Sequence, residues 1–201
     1  MQNINGIYNE FIGFYDDANK MLSDSDSLLN GDTGYSIEMH YAIVEQCYMK
    51  IFRYWENFLE QSFICYLCGN TDLKGHTYNK YATPTDEHHA YDLLKGMKQY
   101  PDWTDIYNVN VLSKLYFENA GAFSLLSNNP IEFIHIKTIR NKISHISKKS
   151  TEQFNRLTQE QVSRGGLEAG EFLLLLKDSR TTYYSFYIDT IKSYVEAICN
   201  V

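Results

Sequence analysis

A chain of 201 residues, 44% hydrophobic and 15% aromatic, is long enough to bury its own core and suits a single domain over residues 1–201. A formal net charge of −7 argues against a protein that coats nucleic acid with its whole surface, and the four cysteines (Cys47, Cys65, Cys68, Cys199) lack disulfide-framework spacing, as expected in the cytoplasm. Only three prolines and 11 glycines interrupt the chain, which favours helices, and no basic-then-apolar leader or spanning run stands out, so no membrane is expected as partner.

Residues 1–22 predict a helix with Ile4, Ile7, Phe11, Phe14 and Ala18 on one broad face, ending before the polar connector Ser23-Asp24-Ser25-Asp26-Ser27. Asn30-Gly31-Asp32-Thr33-Gly34 reads as loop. The longest predicted helix runs from Ser36 to Cys68, keeping the helical period through Ile37, Tyr41, Val44, Tyr48, Phe52, Trp55 and Leu59. Its end, Phe63 to Cys68, is apolar nearly all round and is expected to be deeply buried before Gly69-Asn70 stops it. Residues 69–84 read as loop. Thr83-Pro84-Thr85-Asp86 predicts a further helix with proline at its first position, carrying Ala90, Leu93, Leu94 and Met97 inward and ending before Pro101. A fourth helix is expected from Trp103 or Thr104 to Glu118, through Ile106, Val109, Leu112 and Leu115, with Asn119-Ala120-Gly121 as its end. Phe123 to Leu126 fits either a helical turn or a packed loop.

The next helix carries the chemistry. Asn129 suits the cap, Pro130 the first helical position and Glu132 the third. Phe133, Ile136, Ile139, Ile143 and Ile146 then form one apolar face beneath the hexad Arg140-Asn141-Lys142-Ile143-Ser144-His145. Beyond it, Thr151–Val162 predicts a short polar helix and Arg164-Gly165-Gly166 a break. Phe172 to Leu176 has the composition of a buried strand, but its leucines and helical context favour helix. A last helix from Thr181 to Cys199 shows two apolar stripes, one of Tyr184, Tyr187, Ile188, Ile191, Val195 and Ile198, the other of Tyr183, Phe186 and Tyr194. Two such faces imply two neighbours, within a bundle or across a subunit interface. The fold class is all-α.

Arginine, a polar residue and a histidine five positions after the arginine, near the end of an apolar helix, resemble the signature of the HEPN superfamily. Tyr54-Trp55-Glu56-Asn57-Phe58-Leu59-Glu60 resembles the aromatic-acidic helix of its RiboL-PSP branch. The resemblance implies a helical bundle with additional helices that cuts RNA without a metal or other cofactor, commonly as a homodimer, in toxin–antitoxin or antiviral defence. It implies an antitoxin as a possible partner. It also implies that Arg140 and His145 carry the reaction, that Asn141 supports them, and that Glu56, or Glu60 one turn on, holds the arginine.

These residue types suit that chemistry. An imidazole exchanges protons at neutral pH, and a guanidinium matches a phosphate with a planar, permanently charged fork. Residues 137–149 hold Lys137, Arg140, Lys142, Lys148 and Lys149 with no acid, a basic island suited to docking RNA. The same cations would also suit a helix C-terminus on dipole grounds alone. On a straight helix Arg140 and His145 lie about 140° apart, so convergence requires a distortion, a long reach by the arginine or, as expected here, a second subunit. Ser144, one turn after Arg140, is placed to bond it. Cys65-x-x-Cys68 with His76 or His88-His89 is the only zinc-like grouping; a lone CxxC in an apolar helix reads better as core, and no metal is expected. The alternative function is a non-catalytic HEPN-like module that binds RNA, a nucleotide or a protein partner.

Overall fold

A computed structural model describes residues 3–31, 34–95, 101–128 and 130–201. The protein is all-α. Its helices are α1 (Ile4–Leu29), α2 (Ile37–Leu67), α3 (Glu87–Lys95), α4 (Ile106–Tyr116), α5 (Ile131–Ser144), α6 (Lys148–Val162), α7 (Ala169–Leu174) and α8 (Tyr183–Cys199), with a 3-10 segment Glu118–Asn128 after α4. The expected cap Asn129, the inward Met97 and the loop residues Asp32 and Thr33 lie outside the described residues.

The chain divides into two compact units. The first holds Met1–Ile12, Tyr54–Pro130 and Ile191–Val201; the second holds Gly13–Arg53 and Ile131–Thr190. Helices α1, α2 and α8 therefore each contribute residues to both. In the first unit Phe63 centres an aromatic core, its ring 5.1 Å from both Phe117 and Phe123. Helix α2 stops there as its glycine requires: Gly69 adopts φ +93, its amide bonds the Tyr66 carbonyl at 2.9 Å and the Asn70 amide bonds the Cys65 carbonyl at 3.2 Å. In the second unit Phe172 stacks on Tyr183 at 4.5 Å and meets Phe154 edge-on at 5.7 Å. Gly170 brings α7 flush against α2, since a Cβ there would stand 2.5 Å from the Tyr41 carbonyl oxygen.

Several boundaries differ from expectation, each for a local reason. Helix α1 runs through Ser23–Ser27 to Leu29 rather than ending before it. Ser25 is buried, and its hydroxyl meets the Tyr35 hydroxyl at 2.6 Å and His40 Nδ1 at 2.7 Å, so the polar stretch has an inward anchor. Helix α3 begins three residues later than proline placement suggests because Asp86 caps it, accepting from the His89 amide at 2.8 Å. Helix α6 begins at Lys148, capped by Ser147, instead of at Thr151. On α5 the buried face stops at Ile139: Ile143 is half-buried, and Ile146 lies beyond the helix and is fully exposed. Leu115 on α4 and Ile37 on α2 also face outward. Phe172 to Leu174 is helical as expected, but Leu175 and Leu176 leave the helix and Leu176 is exposed. On α8 the first stripe is wholly buried, as is Tyr183, whereas Phe186 and Tyr194 are half-buried.

Candidate active site

Helix α5 lays its apolar face on the second unit's part of α2. Phe133, Ile136 and Ile139 are buried, and the Tyr48 hydroxyl donates to the Ile136 carbonyl at 3.2 Å. One turn on, the Arg140 guanidinium sits 5.5 Å from the centre of the Phe52 ring, a cation–π distance. Ser144 donates to the Met49 sulfur at 3.6 Å, so it is engaged with α2 instead of bonding Arg140. The arginine is thereby half-buried on an apolar bed, with its charged end turned along the helix.

Arg140, Asn141 and His145 converge within one chain. Arg140 Nη1 donates to Asn141 Oδ1 at 3.1 Å and stands 3.5 Å from His145 Nε2. The second distance is the outer limit of a hydrogen bond, so it registers apposition more than bonding. The expectation that a second subunit must bring the two together is corrected by the reach of the arginine within one chain. The His145 amide still bonds the Asn141 carbonyl at 3.0 Å, so the backbone keeps the helical path up to the histidine and no distortion brings the two together. The flexible arginine stem spans the remainder.

The start of α6 fixes this turn. The His145 carbonyl accepts from the Ser147 amide at 3.0 Å and from the Ser150 hydroxyl at 2.8 Å. Ser147 caps α6 by accepting from the Ser150 amide at 3.1 Å, and Ser150 is buried. The histidine backbone is thus tied down while its side chain stays exposed. Ser147 and Ser150 carry no motif that marks them in the sequence; a cap immediately before Lys148-Lys149 is the one available signal.

An open cleft of about 370 Å³ lies between the end of α5 and the start of α6, lined by Lys137, Asn141, His145, Lys149 and Gln153 among others. The five cations of the island do not act alike. Lys137 and Lys149 face the cleft. Lys142 turns to Glu168 at 3.8 Å, and Lys148 to Glu152 at 3.8 Å, through partly exposed ion pairs of the weak kind. Lys148 and Lys149 occupy the first turn of α6, so the explanation by a helix C-terminus fails for them: the dipole there disfavours cations and favours anions.

Glu56 and Glu60 belong to the first unit, both half-buried on the Tyr54–Leu67 part of α2, where burial pushes the Glu60 carboxyl up. Cys65 is buried in the same stretch, and burial above all raises its thiol to about 11, which suits a neutral core residue.

Compared with protein-family models, with curated proteins and with solved structures, the chain matches none.

Proposed function

We propose that the protein is a metal-independent endoribonuclease of the HEPN type, acting on cytoplasmic RNA in toxin–antitoxin or antiviral defence. The observation that carries this reading is the apposition of Arg140 and His145 at 3.5 Å, beside a cleft flanked by Lys137 and Lys149. RNA would lie with phosphates against the two lysines. The 2′-oxygen attacks the phosphorus while the imidazole of His145 takes its proton, and the bond from phosphorus to the 5′-oxygen breaks. The leaving oxygen takes up a proton, giving a 2′,3′-cyclic phosphate and a free 5′-hydroxyl. Arg140 meets the charge that gathers on the phosphoryl oxygens, and Asn141 orients its guanidinium. One chain offers one such imidazole, so a homodimer would supply base and acid from two copies, and an antitoxin would act by covering the cleft.

The test is cleavage of single-stranded RNA in EDTA. Cyclic-phosphate ends are expected, with His145→Ala and Arg140→Ala each lowering the rate at least about 10²-fold at unchanged helical circular dichroism. Cleavage that survives both changes would remove these residues from the mechanism. Tight RNA binding without any cleavage would leave the binding module as the better description.

A further inference from the structure

A second opening lies along the same pair of helices. It measures about 230 Å³ and is lined by Ile134 and His135 of α5 and by Gln153, Arg156, Leu157 and Glu160 of α6. Gln153 lines this opening and the cationic cleft alike, so the two are neighbours along one groove. Asn141 lies seven positions after Ile134 on α5, about 10 Å at the helical rise, the scale of a nucleotide step or two. The chemistry changes over that distance from lysines and a capped helix start to an apolar wall with polar edges.

We infer that this second opening is the base subsite of the groove, taking a nucleobase next to the phosphate held by Lys137 and Lys149. The inference rests on the nuclease reading and extends it to how the substrate is chosen. Ile134, 49% exposed, offers the apolar surface a base face needs, with the buried Leu157 forming the floor beneath it, and the Arg156 guanidinium can stack on the other side. His135 adds a flat ring rather than a charge. Burial holds its imidazole below the usual range, with Glu132 and Glu160 opposing, and its Nδ1 is engaged with the Tyr187 hydroxyl at 3.2 Å. The Gln153 amide offers a donor and an acceptor to a base edge, whereas the Glu160 carboxylate only accepts. A base that turns an exocyclic amino group to Glu160, as cytosine does at its 4-position, is therefore preferred over uracil, which presents a carbonyl oxygen there.

The test uses two small probes and reads the imidazole resonances of His135 and His145. Inorganic phosphate is expected to shift His145 alone. Cytidine 3′-monophosphate is expected to shift both rings and to bind about tenfold tighter, with uridine 3′-monophosphate in between. Ile134→Ala and Gln153→Ala, both exposed positions, should return cytidine 3′-monophosphate to the affinity of phosphate, and Glu160→Gln should erase the preference over uridine. A nucleotide that binds no tighter than phosphate, or that leaves His135 unmoved, overturns the base subsite while the phosphate cleft stands. Failure of every probe to move His145 overturns the nuclease reading and the subsite with it.

Discussion

Asp72 is a buried carboxylate in the first unit that gathers hydrogen bonds from several directions. Its oxygens accept from the amides of Lys74 and His76 at 2.9 Å, from the Tyr78 hydroxyl at 3.0 Å and from the Asn200 amide nitrogen at 3.1 Å. Burial alone would raise this carboxyl; the His76 amide, Asn200 and Tyr78 outweigh it and hold the group down at about 2. The sign of the linkage follows. A depressed folded value contributes stability that is fully present above the unfolded value of about 3.9 and is lost as pH falls through about 2. Asp72→Asn keeps the shape but turns donors toward donors, and should cost about 1–3 kcal/mol at neutral pH. Thermal melts should show the gap between variant and parent narrowing as pH drops from 4 toward 2. A gap that stays constant over that range would mean the carboxylate charge contributes nothing.

At the scale of elements, what could be read depended on whether the cause was local. The long period of α2, its stop at Gly69 and the buried stripe of α8 follow from spacing and a single glycine, and the structure has all of them. The continuation of α1 rests on Ser25 meeting His40 and Tyr35, partners 15 and 10 residues away, which no local pattern reveals. Convergence of Arg140 with His145 was hidden for a related reason: it depends on how the arginine side chain lies over Phe52 of α2, 88 residues away in the chain, and reaches along the helix. Residue types at the site were therefore legible, but their geometry was not. Ser150 tests how the histidine is held. Ser150→Ala removes the hydroxyl that bonds the His145 carbonyl, and should lower kcat for RNA cleavage while leaving RNA affinity near the parent value. Its stability cost should be about 1 kcal/mol. Equal loss in affinity and kcat would show that the serine supports the whole cleft instead of the histidine.

For the molecule as a whole, charge is the property that decides how RNA would be met. A net −7 is set against five cations and no acid within residues 137–149, so attraction is local and the remainder repels. Lys148→Ala with Lys149→Ala, in a His145→Ala background, should weaken RNA binding and flatten the slope of log affinity against log salt by about 1–2. Melting temperature should hold or rise slightly, because both lysines oppose the dipole of α6. A lower melting temperature with an unchanged slope would make the pair a structural device with no part in RNA docking.

The alternation of the chain between its two units has a consequence for synthesis on the ribosome. Residues of the first unit come from three separated segments, the last of them Ile191–Val201, and residues of the second from two, the last ending at Thr190. Closing contacts fall late: the Tyr66 hydroxyl donates to the Ile198 carbonyl at 2.8 Å and the Leu73 amide to the Cys199 carbonyl at 3.0 Å. A nascent chain that has just exposed the end of α2 must wait about 7–30 s at ordinary elongation rates before those partners emerge. Throughout that interval the aromatic surfaces of α2 lack their final cover, the kind of exposed apolar surface that invites association before folding is complete.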